Sequence, residues 1–247
     1  MRLATVALAD GSEVAGVVTD EAVFVIAGES VLGLVQGGLD RALSLGSAAL
    51  AGRGIPLGEV ALLLPYRPPS VRDFVTFEAH VEGVRRSVDG SRGVPEAWYD
   101  APTFYFTNPH ALYGPGSAIR RPRLSRALDF ELEVGCVVGA SGSDWSVEEA
   151  QAAIFGYTIV NDWSARDLQS REMKVGLGPA KGKDFATSIG PWIVTAEELA
   201  PRHTDAGRLG LSASVSVNGV SVGGDSLANM HWSFPEMIAY AARDSVV

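Results

Sequence analysis

The 247-residue sequence predicts a β-rich α+β fold. Two observations carry that expectation. Short runs with period-two apolar alternation, bounded by Gly, Asn, Asp or Pro, outnumber runs with helical periodicity. The hydrophobic fraction of 47% is ordinary for a globular protein, and the chain shows no internal repeat or low-complexity tract. A chain of this length holds one large domain, or a small domain and a larger one.

In chain order, residues 2–26 read as short strands, with Ala9-Asp10-Gly11 as a hairpin-type turn and β-rich runs at 14–18 and 23–26. Residues 30–51, rich in Leu and Ala, predict a helix broken at Gly37-Gly38. Three prolines in Leu64-Pro65-Tyr66-Arg67-Pro68-Pro69-Ser70 mark the best domain boundary. Residues 74–86 are expected to be helical, 90–102 a loop rich in Gly and Pro, and 103–106 a short aromatic strand. The run 129–139 alternates Phe130, Leu132 and Val134 with Asp129, Glu131 and Glu133, which reads as a strand. Residues 147–153 predict a helix, with Ser146 as N-cap and Glu149 three residues on. Residues 154–160, 189–194 and 211–217 are further strands, Asn218-Gly219 is a strong turn signal, and 234–242 is a helix.

A formal net charge of −9 argues against nucleic acid or an anionic membrane as the main partner. Small anionic substrates remain compatible, because a bound cation reverses the local sign. The single cysteine, Cys136, excludes an intrachain disulfide and falls on the apolar side of its strand, as a core residue would. The N-terminus lacks the apolar core and cleavage site of a signal peptide, and no apolar run approaches a membrane span, so a cytoplasmic protein is expected.

Glu131 and Glu133 are two apart, so on a strand both carboxylates share one face. Like charges so placed repel unless neutralised, and a hard divalent cation with a preference for oxygen would neutralise them. An edge strand with a solvated acidic face would produce the same pattern. Asp162, at the end of the 154–160 strand, could add a third oxygen ligand or cap a helix. Arg166 and Gln169 lie three apart, on one face of any helical turn, and could hold a carboxylate. Gly182-Lys183 superficially matches a phosphate loop, but Leu177 stands where the first Gly is needed and Asp184 where Ser or Thr is needed, so nucleotide binding is rejected. A lysine in such a Gly-rich turn could instead stabilise negative charge on a substrate oxygen, or be a solvated loop charge. His80, flanked by Glu78 and Glu82, is a candidate general base or a surface histidine. No HExxH, CxxC or GxSxG motif is present, which argues against zinc and against an α/β-type serine hydrolase.

Taken together, these segments resemble the fumarylacetoacetate hydrolase family, from about residue 69 to residue 247. Arg72-Asp73-Phe74 with Phe77-Glu78-Ala79-His80 is similar to the family's histidine segment, and Phe130-Glu131-Leu132-Glu133 to its metal pair. The run Asn161-Asp162-Trp163-Ser164-Ala165-Arg166-Asp167-Leu168-Gln169 is similar to the aspartate segment, and Gly182-Lys183-Asp184-Phe185-Ala186-Thr187 to the lysine segment. The resemblance implies a mixed β-roll of the fumarylacetoacetase C-terminal type over 67–247, with a small N-terminal α/β domain over 1–66. It implies a homodimer using Mg²⁺, or else Mn²⁺ or Ca²⁺. Glu131, Glu133 and Asp162 would ligate the metal, with Asp73 a possible fourth ligand. His80 would be the general base and Lys183 would face a substrate oxygen. Arg166, Gln169 and Thr187 would lie near substrate carboxylate or carbonyl groups. Family members continue with a C-terminal segment whose glutamate orients the histidine. This chain is expected to lack that segment, leaving Glu82 or Glu78 for the task. The implied reaction is hydrolysis of a carbon–carbon bond in a β-diketo acid, such as fumarylacetoacetate or an acylpyruvate. Decarboxylation, tautomerisation, isomerisation or hydration of 2-keto acids begins from the same chelate. An inactive ligand-binding or structural homologue is the reading from another class.

Overall fold

The N-terminal alternation folds as antiparallel strands β1 (Arg2–Ala7), β2 (Glu13–Val18) and β3 (Ala22–Val25), turned at Gly11 with φ +83°. This is a computed structural model, which describes residues 1–88 and 90–247, and the side chains of all these except 87 and 88. The expected helix break is present: α1 (Val31–Gln36) ends at Gly37, and α2 (Leu39–Leu50) starts after Gly38, whose φ of +85° suits glycine. Short strands β4 (Ile55–Pro56) and β5 (Ala61–Leu62) follow. The expected helix from residue 74 starts later. Residues 71–74 form β6 (Val71–Phe74), and α3 covers Glu78–Val88.

The aromatic run becomes β7 (Phe104–Thr107), paired antiparallel with β6 so that Asp73 stands opposite Tyr105. After β8 (Leu112–Tyr113), the strand expected over 129–139 is split into β9 (Leu128–Asp129) and β10 (Leu132–Val138). Side chains cause the split: Asp129 Oδ1 accepts from Phe130 N at 2.9 Å, and Asn161 Oδ1 accepts from Glu131 N at 3.2 Å. The capping box at Ser146 and Glu149 opens α4 (Val147–Ala152). β11 (Ile154–Asp162), β12 (Ser164–Ala165), α5 (Arg166–Met173), β13 (Thr187–Thr195) and α6 (Ala196–Leu199) follow. The hairpin β14 (Ser212–Val217) and β15 (Val220–Ser226) turns at Asn218-Gly219, and α7 (Phe234–Ala242) has the expected bounds.

The main sheet runs in the order β10-β11-β13-β1-β2-β3-β4, with β5 on β1 and β8 on β13. It is continuous across the two parts of the sequence, since β1 pairs antiparallel with β13. One apolar cluster packs α1 and α2 on the sheet through Leu3, Val17, Val31, Leu34, Val137, Phe155 and Ile193. A second packs α4 and α7 beside β11 through Ala150, Ile154, Tyr157, Phe234, Met237 and Ile238. Among the described residues, no helix is long and apolar enough to cross a membrane. The result is a mixed, β-rich α+β fold built on one large sheet.

Candidate active site

β10, β11 and β13 lie side by side, and residues directly opposite in antiparallel pairs share a face. Glu133 stands opposite Val160, and Asp162 opposite Thr187, so Glu133, Asp162 and Thr187 project from one face. Asp73 arrives from β6. Asp73, Glu133 and Asp162 each offer a carboxylate oxygen, all within 4.8 Å of one another. Thr187 Oγ1 donates to Asp162 Oδ1 at 3.3 Å.

Lys183 is 4% exposed, and its Nζ lies 2.5 Å from Glu131 Oε2 and 2.7 Å from Asp162 Oδ2. Arg166, at the start of α5, donates from Nη1 to Glu131 Oε1 at 2.6 Å and from Nε to Asp129 Oδ2 at 2.7 Å. The same Nη1 is 3.1 Å from Gln169 Oε1, on the shared helix face expected from their spacing. Glu131 therefore stands beside the three-carboxylate group rather than in it, because Lys183 and Arg166 hold both its oxygens. Arg166 and Gln169 are turned to acids and to each other within the protein.

Tyr105 was not among the residues singled out from the sequence. Its hydroxyl lies 2.8 Å from Asp73 Oδ2 and 2.6 Å from Asp162 Oδ2, bridging the two acids. A half-buried tyrosine in an aromatic strand needs a partner for its hydroxyl, and that was the available signal.

The charges sort the acids into two kinds. Burial raises the Glu131 carboxyl, but Lys183 and Arg166 outweigh it and bring it to about 2. Burial, with Asp162 close by, pushes Asp73 up to about 7. Burial, together with Asp73 and Asp162, holds Glu133 well above the usual carboxylate range. Burial lowers Lys183, but Asp162 and Glu131 outweigh it and raise it. Asp73 and Glu133 thus lack a cation of their own, and three clustered carboxylates with hard oxygen donors fit a divalent ion. A test follows for the metal-free protein. Asp73 holds its proton more tightly folded than unfolded, where its value is ~3.9. Its contribution to stability is complete below about pH 4 and is lost as pH rises through about 7. In EDTA, the melting temperature is expected to fall between about pH 5 and about pH 8, and to fall less steeply for Asp73→Asn. Equal slopes for the two proteins would refute this.

His80 sits in the first turns of α3 and lines the cavity that also exposes Asp73, Glu133 and Lys183. It is open to solvent at the mouth, yet atoms packed on its cavity side lower its imidazole below the ordinary value. The neighbouring acids face elsewhere. Glu82 Oε1 accepts from Gly93 N at 3.4 Å, and Glu78 Oε1 accepts from the Tyr99 hydroxyl at 2.9 Å. Cys136 packs in the α7 cluster, and burial pushes its thiol up, so it is no nucleophile.

The family model described as fumarylacetoacetate (FAA) hydrolase C-terminal matches residues 70–246. The chain belongs to the fumarylacetoacetate hydrolase family. Among curated relatives of this family, the fumarylacetoacetase of Oryza sativa subsp. japonica is 34% identical over 168 residues, covering 60% of this chain and 38% of that protein. The chain thus spans about two-fifths of the length of that relative. Two solved structures share the fold. The maleylpyruvate hydrolase from Sphingobium sp. SYK-6, in complex with manganese(II) and pyruvate, superposes with TM-score 0.72 at 23% identity, over 98% of this chain and 83% of that one. The 2-hydroxyhepta-2,4-diene-1,7-dioate isomerase from Mycobacterium marinum gives 0.68 at 23%, over 100% and 83%. The fumarylacetoacetate hydrolase family includes both hydrolases and isomerases, so membership by itself leaves the reaction to the site chemistry.

Proposed function

We propose that this protein hydrolyses a carbon–carbon bond in a β-diketo acid of the fumarylacetoacetate or acylpyruvate type. The observation that carries the reading is the cluster of Asp73, Glu133 and Asp162, with oxygens within 4.8 Å of one another, beside a cavity lined by Asp73, Glu133, the buried Lys183 and His80. Asp73, Glu133 and Asp162 would hold Mg²⁺, Mn²⁺ or Ca²⁺, with Glu131 beside them, held by Arg166 and Lys183. The bound ion would supply Lewis acidity toward the two oxygens of a 2-keto acid. His80, neutral near pH 7 because its pKa is lowered, would take a proton from water as that water attacks the distal carbonyl. The carbon–carbon bond then breaks, its electrons pass into an enolate, and the proton held by His80 returns to the enolate carbon. Lys183, cationic and fixed by two carboxylates, faces the developing negative charge. Arg166, Gln169 and Thr187 shape the polar end of the same wall. The family relationship and the manganese and pyruvate in the Sphingobium protein support this reading.

The test is loss of enol ultraviolet absorbance from fumarylpyruvate, acetylpyruvate and oxaloacetate, with Mn²⁺ or Mg²⁺ and with EDTA. Metal-dependent cleavage of an acylpyruvate is expected. Turnover of oxaloacetate alone would replace this reading with decarboxylation or tautomerisation. Conversion of a dienoic 2-keto acid without cleavage would replace it with the isomerase chemistry of the Mycobacterium marinum neighbour. Metal at about 100 times its Kd is expected to stabilise the fold by about 2.7 kcal/mol. For a chain of this size that raises Tm by roughly 5–11 °C. Asp162→Ala should abolish that rise, and a full shift in this variant would sink the ligand assignment. We also propose a homodimer, supported by the exposed valines Val217, Val220 and Val222 of the β14–β15 hairpin. A monomeric mass by light scattering would exclude it.

A further inference from the structure

Helix α5 does more than present Arg166 and Gln169. Glu172 stands one turn beyond Gln169 on the same helix, at i+3 from it. Its carboxylate accepts three consecutive backbone N–H groups from the loop before Lys183. Oε2 accepts from Ala180 at 2.9 Å and from Gly182 at 3.0 Å, and Oε1 accepts from Lys181 at 2.8 Å. The carbonyl side of the same turn is closed locally, since Ala180 O accepts from Lys183 N at 3.0 Å and from Asp184 N at 2.9 Å. Gly182 O accepts from Ala165 N at 2.8 Å, one residue before α5. A Cβ on Gly182 would lie 2.7 Å from Gln169 N and 2.8 Å from its Cα, so the loop rests directly on the helix backbone. Burial raises the Glu172 carboxyl, and the three N–H donors outweigh it and leave it below its ordinary value.

We infer that Glu172 is a positioning residue, which clamps the 180–182 loop to α5 and thereby sets Lys183 Nζ between Glu131 and Asp162. Lys183 has a flexible four-carbon stem, so its ammonium is placed only as well as its backbone is held. A three-point grip on successive N–H groups fixes both the position and the tilt of that backbone. Arg166, Gln169 and Lys183 then move as one body with α5. The catalytic use of that placement rests on the function proposed above, whereas the clamp itself does not.

The test uses the three lysines of the chain, Lys174, Lys181 and Lys183. Limiting acetylation with an N-hydroxysuccinimide ester, read by peptide mass spectrometry, reports how sheltered each amine is. In the unmodified protein Lys183 should react at least about tenfold more slowly than Lys174, because a buried, ion-paired amine is neither accessible nor deprotonated. In Glu172→Ala that ratio is expected to fall to about threefold or less, with the Lys174 rate unchanged. Glu172→Gln keeps one oxygen for Ala180 and Gly182 and should restore most of the protection. Gly156→Ala serves as a control for general loosening, because it lies at the far end of the β11–β13 pair, opposite Thr195, whereas Asp162 stands opposite Thr187. An unchanged Lys183 ratio in Glu172→Ala, or an equal change in Gly156→Ala, would overturn the clamp. On an acylpyruvate, Glu172→Ala should lose kcat at least about tenfold at unchanged Mn²⁺ affinity, since an ångström of misplacement is that costly. If the unmodified protein turned over no keto acid, the proposed function would fail, and the acetylation ratio would still decide the clamp.

Discussion

Replacement of Lys183 by methionine is expected to have the largest effect of any single change at the site. The ammonium is almost wholly buried and touches Glu131 and Asp162 at once. Removing it leaves Asp162 without a cationic neighbour and Glu131 with Arg166 alone. Breaking a buried ion pair by deleting one partner costs about 3–5 kcal/mol, because the desolvated charge left behind is not compensated. The metal-free variant should therefore melt roughly 6–20 °C lower, at about 2–4 °C per kcal/mol for a chain of this size. Saturating Mn²⁺ should recover part of the loss, since the released carboxylates can turn to the ion. Catalysis should not recover. Losing one fixed group that meets developing negative charge costs about 10²–10³ in kcat. A Lys183→Met protein that melted like the unmodified chain in EDTA would show that Lys183 does not hold these acids. One with full kcat would show that it does not meet the enolate.

Gly156→Ala should be the most damaging change away from the charges. A Cβ there would stand 2.4 Å from Val194 O and 2.8 Å from Ile193 Cγ2, in the β11–β13 contact. The first of these is backbone, which cannot rotate away. Ordinary overpacking costs about 1–3 kcal/mol, so a collision with a strand carbonyl belongs at or above the top of that range. A drop in Tm of roughly 6–12 °C is expected. Gly83→Ala is the contrast. Nothing lies within 4 Å of its Cβ, and it sits inside α3, so the substitution should raise stability by about 0.5–1 kcal/mol through helix propensity. If the two variants shifted Tm alike, the strand contact would not be the cause.

Much of this was readable before any coordinates. The even residues Val134, Cys136 and Val138 do pack on the α7 cluster, and Glu133 does turn to the other face, as period two requires. The helix break at Gly37-Gly38, the capping box at Ser146 and the turn at Asn218-Gly219 are local chemistry, and each is present. What escaped depends on contacts between distant residues. Tyr105 matters because β6 and β7 pair in one register across a separation of 32 residues; within the run Phe104-Tyr105-Phe106 the lone hydroxyl shows that a partner is needed, but not which one. The break in the acidic strand depends on Asn161, 30 residues on. Glu82 is close to His80 in sequence, but residues two apart on a helix point to different sides, and Glu82 meets Gly93 instead. α5 has little apolar periodicity to announce it. Asp167 ties it to Ser125 and to Arg126 N, a bond that forms only after the chain has folded back.

β10 carries Glu133, yet among the described residues it hydrogen-bonds to one neighbour only, β11. Its other margin is a row of main-chain donors and acceptors without a partner strand. Of its seven residues, Glu133 alone is charged, and four are valine or leucine. An apolar, nearly uncharged margin is a template for the extended backbone of another chain. The limit on handling this protein is therefore expected to be intermolecular β-association at that margin, at temperatures below the cooperative melt. Turbidity should rise before the loss of tertiary signal, and a lysine in place of Val134 should delay it at some cost in packing against α7.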